Sequence, residues 1–331
     1  MKMKIGIVGS GMIVRYVLDH VWSKIDNIEA AAIWCRSEER EIAKSIAKDF
    51  RIENVYEDYD AFLKDDSFDF VYIGLVNSLH YEYSMKAIQA GKSVVCEKPF
   101  TSTAKQAEDL LEAAKSKQVF LFESILPWYS DNYEAIKNQL PEIGDMKLIQ
   151  CNFSQYSRRY ASYLEGKVLP VFNPMLDGGA LYDISVYSVH WVMGLVGVPQ
   201  KTAYYPNLGY NGIDTSGTLV MDYGSFKAIC SAAKDSASPG RCMVQGDQGY
   251  ILMDSHPGEC HKIELVKNGE EAKPLDKKPL GEPYIDVYEK IIPIVEAGNY
   301  GECYRFMDRV IEVMRVMEDA RKAAGIKFSC D

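Results

Sequence analysis

The N-terminal run Lys4-Ile5-Gly6-Ile7-Val8, followed at once by Gly9-Ser10-Gly11-Met12-Ile13-Val14, constrains the chain most strongly. A short, continuous apolar run suits a strand buried on both faces. A glycine turn behind it, opening directly into a helix, is the start of a strand-helix-strand unit. Gly9 and Gly11 allow a tight turn and close approach of backbone to a phosphate. The helix start then offers N–H donors and partial positive charge. The alternation continues, with strands expected at 29–34, 54–56, 68–74, 93–96 and 119–122. Helices are expected at 12–22, 37–50, 79–90 and 103–117, with Ser37 as an N-cap and Gly91 as a left-handed terminator. Such alternation predicts a parallel sheet with helices on both faces.

Beyond residue 124 the pattern changes. A helix near 128–140 leads to an alternating segment at 147–154, and 218–230 reads as a hairpin turning at Gly224-Ser225. Segments 242–246, 250–253 and 261–266 add strands, and helices near 284–297 and 304–324 finish the chain. The expected fold is α/β in two domains. Residues 1–124 form a dinucleotide-binding domain, and 125–331 an α+β domain with a large, mostly antiparallel open sheet. The last helix is able to pack back on the first domain. A length of 331 residues also exceeds what one core usually holds.

The formal charge of -10 argues against nucleic acid and anionic membranes as partners. The longest apolar stretch, 186–198, is broken by His190 and two glycines and is too short to span a bilayer. No signal-like segment precedes the first strand, so a cytoplasmic location is expected. The eight cysteines form no C-x-x-C pair and read as reduced thiols. His256-Pro257-Gly258-Glu259-Cys260-His261 reads as a hairpin loop, and no metal site is expected.

Where an acid for the ribose 2'-hydroxyl of NAD is usual, the second strand ends in Cys35-Arg36-Ser37. Arg36 would pair with a 2'-phosphate, which favours NADP over NAD. Glu38 or Glu39 could instead supply the acid. Glu97-Lys98-Pro99 ends one strand, and Asn77-Ser78-Leu79-His80 follows its neighbour. Two polar clusters at the carboxyl edge of a parallel sheet mark a site. In the second half, Ala180, Asp183 and Tyr187 of Asp177-Gly178-Gly179-Ala180-Leu181-Tyr182-Asp183-Ile184-Ser185-Val186-Tyr187 fall at helical spacing on one face. His190 reads as a packed interior histidine.

Together these motifs, in this order and spacing over nearly the whole chain, resemble the Gfo/Idh/MocA oxidoreductase family. Tyr187, where many members carry His, resembles the branch with dimeric dihydrodiol dehydrogenase, NADP-linked xylose dehydrogenase and glucose-fructose oxidoreductase. The resemblance implies a Rossmann domain, a cis Lys98-Pro99 peptide and a second-domain sheet that makes homodimers or homotetramers. Departures from the family pattern are Val14 for the third glycine, Val76 for proline and Ser185 for glycine.

It also implies hydride transfer between the nicotinamide and a carbinol carbon of a sugar, polyol or dihydrodiol. Tyr187 would move the hydroxyl proton; a free tyrosine titrates near ~10, and a nearby Lys98 ammonium would lower that. Asp183 would orient Lys98 or a sugar hydroxyl. Gly9, Ser10, Gly11, Met12, Ile13, Arg36, Asn77, His80, Glu97, Lys98 and Glu123 would line the cofactor, and Arg158, Arg159 and Tyr160 would reach the substrate. Loops 155–172 and 205–213 would set specificity. Two other readings are a non-catalytic NADP-binding sensor and a glycosidase that uses NAD transiently. The intact Lys98, Asp183 and Tyr187 set disfavours the first, and Arg36 the second.

Overall fold

A computed structural model describes residues 2–331. The chain forms two compact units. The first holds residues up to Ser124 together with Tyr284–Ile311, and the second holds Ile125–Pro283 and Glu312–Asp331.

In the first unit the elements run β1 (Met3–Val8), α1 (Met12–Tyr16), β2 (Ile28–Trp34), α2 (Arg40–Phe50), β3 (Asn54–Tyr56), α3 (Tyr59–Leu63), β4 (Phe70–Ile73), α4 (His80–Gln89), β5 (Ser93–Glu97), α5 (Ala104–Lys117) and β6 (Leu121–Ser124). The strands form one sheet in the order β3-β2-β1-β4-β5-β6, and every pair is parallel. β4 and β5 are buried throughout, as a doubly covered sheet requires. The expected parallel sheet is therefore present.

Local chemistry sets the boundaries. Asp58 accepts hydrogen bonds from the N–H groups of Asp60 and Ala61 and starts α3, a helix the sequence reading did not include. Thr103 Oγ1 accepts from the Gln106 N–H, while Gln106 Oε1 accepts from the Ser102 N–H, a reciprocal cap for α5. Gly91 takes a left-handed φ of +82° just past α4, as expected. Ser37 is no N-cap: it opens a 3-10 turn, Ser37–Glu39, that precedes α2 and has no side-chain cap. After α1 the chain widens into a π-helical stretch, Val17–Val21, so the expected single helix is a composite. The last strand begins two residues later than expected, at Leu121.

Two helices, Pro283–Glu296 and Tyr300–Ala323, lie toward the C-terminal end of the chain. Part of both belongs to the first unit. There Trp22 meets Tyr72 and Tyr288 edge-on, and Phe120 stacks on Tyr300 at 4.2 Å. The Cys303 thiol donates to the Leu121 carbonyl at 3.1 Å and accepts its N–H at 3.3 Å. A thiol thus takes the place of a neighbouring strand at the edge of β6.

The second unit runs α6 (Asp131–Gln139), β7 (Met146–Ser154), α7 (Tyr160–Leu164), α8 (Val186–Val196), β8 (Lys201–Leu208), β9 (Asp214–Asp222), β10 (Lys227–Ala233), β11 (Arg241–Gly246), β12 (Gly249–Met253), β13 (Ile263–Lys267) and β14 (Lys273–Pro274). Its sheet order is β14-β13-β12-β11-β7-β10-β9-β8. All pairs are antiparallel except β7 with β10. Burial alternates along β7, β10 and β12, so one face is covered and the other stays partly open. Strand β8 was not anticipated, and it turns the first part of the nominated 205–213 loop into sheet. Cys151 stands in register with Cys230 and Cys242 on the neighbouring strands. All eight cysteines are free, and seven are buried. Among the described residues no helix is long and apolar enough to cross a membrane.

The Thr103 cap gives a direct stability test. Thr103→Ala should cost about 1 kcal/mol in urea unfolding, because it leaves a helix-start N–H without its acceptor.

Candidate active site

The glycine turn joins β1 to α1. Gly9 has φ +112°, a region that L-residues avoid, and a Cβ there would lie 2.6 Å from the Gly74 carbonyl oxygen. The Gly9 N–H donates to the Trp34 carbonyl at 2.9 Å. Gly11 caps α1, and a Cβ on it would meet nothing within 4 Å. Open space before a helix start fits a pyrophosphate. Met12 is exposed and Ile13 half-buried. Val14, in the third glycine's place, is buried. A Cβ on Gly74 would come 2.8 Å from Val14 Cγ2. The bulk gained at Val14 is accommodated by the side chain that Gly74 lacks.

At the end of β2, Arg36 Nη2 donates to Glu39 Oε1 at 2.5 Å, and Nη1 lies 3.4 Å from Glu38. Ser10 Oγ donates to the other Glu39 oxygen at 3.1 Å. Glu39 therefore links the glycine turn to Arg36. This hydrogen bond raises the already high Arg36 pKa further.

The second cluster centres on the turn after β5. The Lys98–Pro99 peptide is cis, as the resemblance implies. Lys98 is half-buried between Glu97 and Pro99, both buried. Glu97 Oε1 accepts from the Tyr72 hydroxyl at 2.8 Å. Burial pushes the Glu97 pKa up to about 7, against the pull of Tyr72, Lys98 and Ser124. Glu123 is fully buried, and its Oε1 accepts the Phe100 N–H at 3.0 Å.

His80 is fully buried too. Its Nδ1 lies 2.8 Å from the Pro99 carbonyl and its Nε2 3.2 Å from the Leu75 carbonyl. Burial lowers its pKa, so the ring is neutral and donates through one nitrogen. His80 was expected to contact cofactor. Both its nitrogens face backbone carbonyls, so it braces the turn that carries Lys98. Glu123 braces the same turn from β6. Asn77 is half-buried and opens a 3-10 turn, Asn77–Leu79. Val76 before it has φ -73°, the value proline would fix, so this departure leaves the turn intact.

In the second unit, Gly179 has φ +101°, and a Cβ there would lie 2.0 Å from Asp214 Oδ1. Asp214 is buried, and its Oδ2 accepts the Leu181 N–H and the Tyr204 hydroxyl, each at 2.7 Å. Burial raises its pKa to about 6. A carboxylate thus sits at the helix start that the glycine pair exposes. Leu181–Ser185 is π-helical and passes into α8 at Val186. The expected single face of Ala180, Asp183 and Tyr187 is therefore altered, because a π turn takes more residues than an α turn. Ala180 and Tyr187 are buried and Asp183 half-buried.

Tyr187 packs on Phe153, ring centroids 5.7 Å apart, and Phe153 stacks on His256 at 3.9 Å. His190 is fully buried, its ring 4.6 Å from that of Trp128, which matches the expected interior histidine. The Asp183 carboxylate pairs with the Lys234 ammonium. Arg158 and Arg159 are exposed after β7, and Tyr160 opens α7. Tyr160, Tyr163, Phe172 and Tyr210 form a ladder in which Tyr163 stacks on Tyr210 at 4.4 Å. The loop 254–262 connects antiparallel β12 and β13, as its turn residues suggested. Among the described residues no cluster of three or more His, Cys, Asp or Glu could hold a metal.

Asp214, Tyr72 and Lys234 were missed. Asp214 opens β9, Lys234 follows β10 and Tyr72 stands inside buried β4, and each has its partner in another element. Lys234, directly after Ala232-Ala233, carried the clearest signal, a cation following a buried strand.

A glycine turn opening a helix on a parallel sheet is the arrangement of a dinucleotide-binding domain. Residues 3–124 match the model of an oxidoreductase family with an NAD-binding Rossmann fold, Gfo/Idh/MocA. The chain is 29% identical to scyllo-inositol 2-dehydrogenase (NADP(+)) of Bacillus subtilis over 99% of both chains. It is 27% identical to trans-1,2-dihydrobenzene-1,2-diol dehydrogenase of Xenopus tropicalis over 78% of both. A 3-ketoreductase from Actinomadura kijaniata, solved with NADP and TDP-benzene, shares the fold. Its TM-score is 0.85, at 20% identity over 99% of both chains. Residues 3–124 therefore match a family of NAD-binding Rossmann-fold oxidoreductases, and nearly the whole chain is similar to an NADP-linked inositol dehydrogenase.

Two predictions follow from this packing. Gly74→Ala should destabilise by about 1–3 kcal/mol, and Val14→Ala in the same chain should recover much of the loss in thermal melting. Glu97 titrates from about 4.5 unfolded to about 7 folded. Between those values the folded chain keeps a proton that the unfolded chain has released. Its contribution to stability therefore falls as pH rises through that window. Glu97→Gln should gain about 2 kcal/mol relative to the parent between pH 5 and pH 8, read from urea midpoints at each pH.

Proposed function

We propose that the chain is an NADP-linked dehydrogenase that oxidises, or in reverse forms, a secondary alcohol on a sugar, polyol or dihydrodiol. The observation that carries this is the Lys98 turn. A half-buried ammonium stands at the carboxyl edge of β5, on a turn braced by buried His80 and Glu123. A cation held so firmly at the edge where ligands of parallel sheets bind is fitted for chemistry rather than solvation. The similarity to a scyllo-inositol dehydrogenase and to dihydrodiol dehydrogenases supports the alcohol class.

In this reading the bound nicotinamide supplies the hydride acceptor or donor. Tyr187 takes the hydroxyl proton in oxidation and returns it in reduction. The Lys98 ammonium polarises the substrate oxygen. Asp183 accepts a hydrogen bond from a substrate hydroxyl. Gly9, Ser10, Gly11, Met12 and Ile13 hold the pyrophosphate, and Asn77 and Glu97 the nicotinamide ribose. Arg158, Arg159 and Tyr160 bind substrate, with the tyrosine ladder offering faces for sugar C–H groups. The half-exposed Arg36 turns from Glu39 to the 2'-phosphate of NADP. The partly open face of the second sheet joins subunits into a homodimer or homotetramer, and the enzyme works in the cytoplasm.

Initial rates over inositols, aldoses and dihydrodiols with NADP and NAD test this. Turnover of a vicinal polyol is expected, and failure across the panel would overturn it. Lys98→Met and Tyr187→Phe should each lower kcat/KM by about 100-fold or more. Near-normal turnover in both would remove them from the mechanism. Arg36→Ala should cut the NADP-to-NAD preference by about tenfold, and Glu39→Gln should raise it, since it removes an anion beside the phosphate.

A further inference from the structure

The carboxyl end of β2 carries an aromatic cluster with no role in the mechanism above. Trp34 ends the strand, just ahead of Arg36. The Tyr83 ring of α4 lies 4.9 Å from the Trp34 ring, and the Tyr59 ring of α3 lies 5.3 Å from it. Tyr59 and Tyr83 meet edge-on at 4.8 Å. Two of the three polar tips are tied to backbone. Trp34 Nε1 donates to the Glu57 carbonyl at 3.0 Å, and the Tyr59 hydroxyl donates to the Tyr83 carbonyl at 2.9 Å. Tyr83 is thus held by its main chain and by its ring. Its hydroxyl is the tip left over: among the described residues it has no hydrogen-bond partner, and it is open to solvent. Burial raises the Tyr83 pKa and Glu82 adds to the rise, while Lys86 and Arg36 oppose it. Tyr83 in turn acts on the Arg36 guanidinium. Of the two cations, Lys86 is tied to Glu82 at 2.6 Å on the same helix. Arg36 comes from the end of β2, with its side chain 50% exposed.

We infer that Tyr83 is a specificity-determining residue for the cofactor, its hydroxyl donating to the 2'-phosphate of NADP beside the Arg36 guanidinium. Glu38 and Glu39 already crowd that guanidinium with negative charge. A phosphate that takes their place needs more than one donor. Its oxygens accept more hydrogen bonds than a single guanidinium fork supplies. Tyr83 brings a second donor on a rigid aromatic base and adds no charge that Glu38 or Glu39 would capture. NAD presents only a neutral 2'-hydroxyl at this place. A hydrogen bond to it is weaker than one to a phosphate oxygen, so the Tyr83 tip serves NADP selectively. This inference rests on the reading of Arg36 as the cation for the 2'-phosphate.

The test measures Kd for NADPH and NADH by calorimetry on the full chain, in the parent, Tyr83→Phe, Arg36→Ala and the double variant. Tyr83→Phe keeps the ring against Trp34 and Tyr59 and removes only the tip. It should raise Kd for NADPH about tenfold and change Kd for NADH less than about twofold. Adenosine 2',5'-bisphosphate, which carries the phosphate without the nicotinamide, should show the same loss, and adenosine 5'-monophosphate none. In the Arg36→Ala background the loss from Tyr83→Phe should shrink, because the two donors share one phosphate. An unchanged Kd for NADPH in Tyr83→Phe, or equal losses for NADPH and NADH, would overturn the inference. If Arg36→Ala alone weakens NADPH, the inference fails and the Arg36 reading stands. If neither variant weakens it, both fail. A phosphate-selective loss in Tyr83→Phe without turnover of any polyol would uphold the inference and count against the dehydrogenase reading.

Discussion

The backbone of the Glu97–Phe100 turn is buried, and every polar group there needs a partner or costs free energy. The structure meets that need with side chains from three elements. His80 at the start of α4 takes the Pro99 carbonyl, Glu123 on β6 takes the Phe100 N–H, and Tyr72 on β4 takes the Glu97 carboxyl. Much else in the first unit follows from this brace. Tyr72 must reach Glu97 and so lies against Trp22, which in turn meets Tyr288 of a C-terminal helix. Burial holds Glu97 up at about 7, a cost in stability accepted at the place where Lys98 is presented.

The second unit solves the same problem with another buried acid. Asp214 occupies the helix start left open by Gly179, where any side chain would collide with it. The π-helical stretch that begins there carries Asp183, and Lys234 holds that carboxylate from the end of β10. Both units therefore use buried charge beside a half-buried ionisable group, Lys98 in one and Asp183 in the other.

Strand and helix alternation in the first 124 residues was legible because each strand is apolar and each helix amphipathic. The glycine turn and Glu97-Lys98-Pro99 were legible because their residues are contiguous. His80 was visible as polar, but its burial depends on a turn 19 residues away. Lys234 and Asp183 are 51 residues apart, and no local pattern links them. The π-helical stretches leave the apolar pattern of a helix nearly intact, so the single face drawn for Ala180, Asp183 and Tyr187 was altered without a warning in the sequence. Strand β8 was hidden because polar and apolar residues mix along Lys201–Leu208. Val14 looked like a defect until Gly74 was found opposite it.

The Lys98 turn is proposed to serve hydride exchange with a carbinol carbon. A polyol carrying deuterium at each carbinol carbon, incubated with the enzyme and NADP, tests it most directly. One deuterium is expected at C4 of the reduced nicotinamide by NMR, on a single face of the ring. Polyol consumed with no deuterium in the cofactor would contradict it.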